Sequence, residues 1–111
     1  MVYTTNASNI GFNGEYYDAG EVKINEDEKI IEVSHLKKSL FNSKLVSVGK
    51  ITYSDSTKFS SDGLKIRIND LSFEISDEAT YDQIKKIVTE PYRLEQERKE
   101  KIIKLADDAV I

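Results

Sequence analysis

The chain has 111 residues, 39% apolar and 32% charged, enough for one small domain. Its 20 acids outnumber its 16 bases, and Arg occurs only at Arg67, Arg93 and Arg98, so a protein that wraps nucleic acid is disfavoured. With no Cys and one His, His35, the sequence excludes disulfide staples, thiolate nucleophiles, Cys-based zinc sites and His-rich metal centres. The N-terminus has neither a basic start nor an apolar stretch, and no apolar run nears the roughly 20 residues that span a bilayer. The expected compartment is the cytoplasm.

Residues 6–14 carry Asn, Ser and Gly and read as a loop after a short strand at Val2–Thr5. Val22 and Ile24 then alternate with Glu21 and Lys23, and Gly20 suggests a bulge or sharp twist. After the polar turn Asn25-Glu26-Asp27-Glu28, a second strand over 29–35 places Ile31 and Val33 on one face, which makes a hairpin. Residues 36–43 break the alternation and read as a loop or one helical turn. A strand over 44–53 follows, with a bulge expected at Gly49. Phe59 centres a short strand. Asp62-Gly63 and Asn69-Asp70 are hairpin turns, so Leu64, Ile66 and Ile68 share a core with Leu71, Phe73 and Ile75.

The period then changes from two to that of a helix. Ser76 or Asp77 is placed to cap it, and Tyr81, Ile84, Ile87 and Val88 form one apolar stripe, with Lys85 and Lys86 facing away. Pro91 can break the helix, kink it or open a second one. Residues 92–110 again read as helix, with acid-first pairs at Glu95–Lys99, Glu97–Lys101 and Glu100–Lys104. Beyond them Ile102, Ile103, Leu105, Ala106, Ala109 and Val110 renew an apolar stripe.

The pattern predicts an α+β fold: a small antiparallel, partly closed sheet of six to seven strands capped by a C-terminal amphipathic helix, with a further helical extension. Six or seven antiparallel strands closed by one C-terminal amphipathic helix, with the runs Leu64–Ile68 and Leu71–Ile75 leading into Asp77–Val88, resemble a prokaryotic pleckstrin-homology-like (PH-like) domain over about residues 15–90. The resemblance divides the chain into a PH-like domain over 1–90 and a helical extension over 91–111. It implies a binding module for peptides, proteins or lipid headgroups rather than an enzyme. The Trp frequent in that family's last helix and the basic phosphoinositide motif have no counterpart here.

Two stretches are candidate partner surfaces. Residues 35–70 hold seven bases and three acids, and within them Leu36, Lys37, Lys38, Leu40, Phe41 and Lys44 combine apolar and basic character. The bland alternative is a connection whose apolar residues fold back into the core. The second is the stripe Ile102, Ile103, Leu105, Ala106, Ala109 and Val110, which either covers its own sheet or pairs with another chain, a second copy included. The expected function is a non-catalytic protein-interaction (adaptor) domain that self-associates through the C-terminal helix as one form. One alternative is weak binding to an anionic membrane surface through Lys37, Lys38 and Lys44. The other is a small enzyme, which would have to use His35 as its base. The acids Asp18, Glu26, Asp27 and Glu28 lack the ligand spacing of a calcium loop, and Gly11 and Gly14 make no phosphate loop, so no metal or cofactor site is expected.

Overall fold

The computed structural model describes the backbone of residues 1–109 and the side chains of residues 1–101. Seven strands precede one helix: β1 Val2–Phe12, β2 Glu15–Asn25, β3 Ile30–Lys38, β4 Ser43–Thr52, β5 Phe59–Asp62, β6 Lys65–Ile68, β7 Leu71–Glu74 and α1 Glu78–Ala109. The strands form a single sheet in the order β4-β3-β2-β1-β7-β6-β5, and every pairing is antiparallel. The sheet is open rather than partly closed. Its two outer strands, β4 and β5, pair with β3 and β6 and not with each other. The antiparallel α+β architecture is otherwise the one the alternation predicts.

The tight turns follow local chemistry. Phe12 pairs with Glu15 across Asn13-Gly14, whose φ angles of 51° and 80° are both positive. That is the conformation an Asn-Gly hairpin turn favours, because Asn tolerates it and Gly has no Cβ to clash. Residues 6–14 are therefore not a loop: β1 runs through them. The reading failed because the inward positions change parity, from Tyr3, Thr5 and Ala7 to Ile10 and Phe12. The slip falls at Asn9, which has φ 47°, and the register with β7 shifts between Ser8 and Gly11. At Asn25–Ile30 a four-residue connection is held by the Asn25 side chain, whose Oδ1 accepts the Glu28 N–H at 3.0 Å. The Gly49 region carries the expected bulge, since Val33 faces Gly49 while Ser34 faces Ser47, leaving Val48 as the extra residue.

The core gathers Ile10, Phe12, Val22, Ile24, Ile31, Val33, Ile66, Ile68, Leu71 and Phe73 from the sheet, and Ile84, Ile87 and Val88 from the helix. These aliphatic and aromatic side chains are almost completely removed from water, each contributing about 1.5–3 kcal/mol of hydrophobic stabilisation. Asp77 caps the helix, its Oδ1 accepting the Thr80 N–H at 2.7 Å. This bond, followed by the side-chain bond to Thr80, lowers the Asp77 carboxyl below its ordinary value. Tyr81 ties the first helical turns to β5: its hydroxyl lies 2.7 Å from Ser61 Oγ and its ring 6.4 Å from that of Phe59.

Pro91 lies inside α1, which runs past it to Ala109. The further helical extension is thus no separate element, and neither a break nor a second helix occurs at the proline. Pro91 has no N–H to give Ile87, so one rung of the helical ladder is missing there. Past it the core stripe ends: Tyr92, Arg93 and Leu94 are exposed, and no residue from 92 to 101 is buried. Among the described side chains the ion pairs on this segment involve the arginines, with Arg93 reaching Glu97 at 3.1 Å and Arg98 reaching Glu95 at 2.8 Å, rather than the predicted Lys99 and Lys101, while the predicted Glu100–Lys104 pair lies outside the described residues.

Candidate functional site: a basic, apolar-tipped β arm

β2 and β3 pair from Asn25–Ile30 up to Gly20–His35, and no further. Gly20 is buried, and a Cβ there would lie 2.0 Å from the Ser34 carbonyl oxygen and 3.0 Å from the His35 Cα. Only a residue without a side chain lets the strands approach so closely. Beyond this point β3 pairs only with β4, through Leu36–Leu45, Lys37–Lys44 and Lys38–Ser43. The result is a two-stranded arm that leaves the sheet with no third strand beside it. Of residues 36–43, expected as a loop or one helical turn, Leu36, Lys37, Lys38 and Ser43 are strand and only residues 39–42 form a turn.

At the tip Ser39 and Asn42 clasp the turn. The Ser39 N–H donates to the Asn42 carbonyl at 2.8 Å, the Ser39 hydroxyl donates to the same oxygen, and the Asn42 N–H donates to Ser39 Oγ at 3.0 Å. Leu40 and Phe41 occupy the corners between them and are 96% and 92% exposed. They do not fold back into the core. Two adjacent large apolar side chains held almost wholly in water, on a turn fixed by three hydrogen bonds, are unusual for a surface with no binding task.

The flanks of the arm are basic. Residues 36–45 contain Lys37, Lys38 and Lys44 and no acid. Strand alternation puts Leu36 and Leu45 directly opposite on one face and Lys37 and Lys44 directly opposite on the other. Like charges facing each other across a pair weaken it, so the arm gains when an anionic surface covers it. Together these residues make a narrow apolar wedge with a cationic collar. His35 stands at the base of the arm, half-buried, its ring stacked on Tyr17 at 4.8 Å and 27°. No cluster of three or more His, Asp or Glu suited to a metal ion occurs among the described residues.

At the other end of β3 lies a feature that the sequence did not announce. A cleft of about 240 Å³ opens between the β2–β3 turn and the helix, lined by Glu26, Asp27, Lys29, Tyr53, Ile87, Glu90, Pro91 and Leu94. Tyr53 is buried and Leu94 is half-exposed. Burial, then Glu26, then Glu90 raise the Tyr53 phenol above its ordinary value. Asp27 is paired with the Met1 amino group at 3.0 Å, and Glu90 lies 3.9 Å from Arg93. The cleft is assembled from residues some sixty positions apart, which no periodicity could have revealed.

Of the residues singled out from sequence, Leu36, Lys37, Lys38, Leu40, Phe41 and Lys44 are brought together on one arm. The side chains of Ile102, Ile103, Leu105, Ala106 and Ala109, and the whole of Val110, lie outside the described residues. The missed signal for the arm was a mirror: Leu36-Lys37 and Lys44-Leu45 are equidistant from the Leu40-Phe41 centre.

The seven-stranded antiparallel sheet followed by a C-terminal helix is broadly PH-like in topology. No family model, curated protein or solved structure matches the chain. Among the described residues no helix is long and apolar enough to cross a membrane.

Proposed function

We propose that this chain is a non-catalytic, PH-like interaction domain that acts in the cytoplasm and grips a protein partner through the β3–β4 arm. The observation that carries this reading is the almost complete exposure of Leu40 and Phe41 on a hydrogen-bonded tip. Burying both side chains in a partner supplies about 3–6 kcal/mol of gross hydrophobic stabilisation, enough to anchor a transient contact. The lysine collar favours an acidic rim around the partner's receiving groove. A cysteine-free chain fits a reducing compartment, and the stacking of His35 on Tyr17 supports a structural role for that residue.

The test compares the full chain with Leu40→Asp/Phe41→Asp in partner capture from native lysate. The variant should keep its fold, because both side chains are already in water, and should lose the captured protein. Equal capture by both forms removes the arm from the reading. A second reading draws on the facing pair Lys37 and Lys44, with Lys38 beside them and no acid in the arm: docking on an anionic membrane surface. At about 1 kcal/mol per lysine that contact is weak, and it requires salt-sensitive sedimentation with phosphatidylserine vesicles.

A further inference from the structure

The β3–β4 ladder treats its lysines in two ways. Lys50 stands directly opposite Glu32, whose carboxylate lies 3.9 Å from its Nζ. Lys37 stands directly opposite Lys44, so a cation faces a cation. Neither takes part in an ion pair among the described residues, and no acid occurs anywhere from residue 33 to residue 54. At a Cβ separation of about 5 Å such a pair weakens the ribbon that carries it. The counter-charge has to come from outside the chain. A hollow of about 340 Å³ opens on this face of the arm, lined by Lys37, Ser39, Asn42 and Lys44, while Lys38 and its neighbour Ser43 belong to the other face. That volume falls within the range of about 300–1,000 Å³ typical of small-ligand sites. The lysine stems supply apolar wall. The Ser39 hydroxyl is committed to the Asn42 carbonyl, but the clasp uses only the backbone N–H and carbonyl of Asn42 and leaves its side-chain amide out. Two ammonium groups and one amide therefore remain as donors for a ligand.

We propose that this face of the arm binds one phosphorylated side chain of the partner protein, a phosphoserine or phosphothreonine, between Lys37 and Lys44. This rests on the arm gripping a protein partner and names the chemistry that the partner presents beside its receiving groove. A phosphate monoester carries a charge of about −1.5 to −2 near pH 7 and three acceptor oxygens. It neutralises both lysines at once, whereas a carboxylate or a phosphodiester brings a single charge and leaves one cation unopposed. The site lies on one face just behind the tip, where the lip of a groove that holds Leu40 and Phe41 comes to rest. A bilayer would meet both faces of the ribbon and engage Lys38 equally. Capture of the partner thereby becomes conditional on its phosphorylation.

The experiment is an amide-correlation NMR titration of the full chain with N-acetylphosphoserine methylamide, alongside the same capped forms of serine and glutamate. Backbone amides of residues 37–44 should shift saturably with the phosphorylated probe, little with glutamate and not with serine, and added salt should weaken the binding. Lys37→Gln and Lys44→Gln should each weaken it at least about fivefold, and Lys38→Gln, on the opposite face, less than about twofold. Asn42→Ala keeps the backbone clasp, removes the amide and should weaken binding less than either lysine change. Lys44→Glu places an acid opposite Lys37, so it should abolish binding with a melting temperature at or above the unaltered chain's, which separates loss of the site from loss of the fold. No saturable shift, equal shifts with capped glutamate, or equal losses from Lys37→Gln and Lys38→Gln overturn the proposal. Sedimentation with phosphatidylcholine vesicles containing phosphatidic acid, with no shift by the probe, assigns the lysines to a lipid and overturns it too. The protein captured from lysate through the tip should be lost after phosphatase treatment of that lysate. Capture that survives phosphatase and is lost in Leu40→Asp/Phe41→Asp leaves the arm reading standing while this proposal falls. Capture indifferent to the tip variant and to phosphatase alike brings both down.

Discussion

Replacing Gly20 with alanine should separate β2 from β3 where the arm departs. The new methyl group would lie 2.0 Å from the Ser34 carbonyl oxygen, 2.9 Å from Ile10 Cδ1 and 3.0 Å from the His35 Cα. Ordinary contact begins near 3.4 Å, so the obstructing backbone has to move by more than an ångström. A sheet hydrogen bond of about 2.9 Å stretched by that amount is no longer a bond. Losing one or two such bonds removes about 1 kcal/mol each, and overpacking adds about 1–3 kcal/mol, for a total near 3 kcal/mol. At about 4–8 °C per kcal/mol for a small domain, the melting temperature should fall by roughly 12–24 °C. Far-UV circular dichroism melts, checked by urea titration at constant m value, measure this directly. Gly14→Ala is the control: nothing lies within 4 Å of its Cβ, so only the positive φ of 80° opposes the substitution, at about 1–2 kcal/mol. A Gly20→Ala protein that melts within a few degrees of the original, or above Gly14→Ala, would refute the argument from close approach.

Other substitutions probe separate parts of the molecule. Ile84→Ala empties a fully buried position between helix and sheet and should destabilise by about 2–5 kcal/mol in urea titration. Leu40→Asp/Phe41→Asp should change stability by no more than about 0.5 kcal/mol per site, since both side chains already face water; a large loss would show that the tip packs somewhere. Asp77 has a lowered folded-state pKa, so its contribution is present above the unfolded carboxylate range and is lost as pH falls through the folded value. Asp77→Ala should therefore lower the melting temperature at neutral pH and converge with the original in acid, as parallel melts across pH would show. Tyr53 has a raised pKa, so stability should decline with rising pH from the unfolded phenol value toward the folded one. Phenolate absorbance should show Tyr53 ionising above the ordinary tyrosine range, and Glu26→Gln should bring it down.

Where one residue type answers to one physical demand, the sequence was easy to read. Leu64–Ile68 and Leu71–Ile75 alternate cleanly around Asn69-Asp70, and the change of period at Asp77 marks the helix. β1 was lost because its inward residues slip by one at Asn9, which breaks the alternation that announces a strand, although Asn13-Gly14 was a hairpin signal in plain view. The arm was lost for a different reason. It is not half-buried, so its side chains owe nothing to a core and carry no period of two. The six residues picked out together from the sequence do lie together on this arm, because an apolar pair among unopposed lysines is visible without knowing the backbone. The helix past Pro91 needs no apolar partner up to Lys101, which fits the polar run there, yet proline alone does not say whether a helix stops or continues.

The place of β1 in the sheet also shapes how the molecule is made. β2, β3 and β4 can zip onto it as each emerges, but its other edge waits for β7, and Ser8 pairs with Glu74 across 66 residues of chain. During synthesis the four-stranded half therefore displays an open edge until the last strand is complete, the state in which a growing chain is most exposed to pairing with a neighbour. The same edge accepts β7 from another copy with identical hydrogen bonds, which is the route to domain swapping. Changes that weaken the Ser8–Gly11 contact with β7 should accordingly appear first as aggregation during expression, before they are visible in the melting temperature of the protein that does fold.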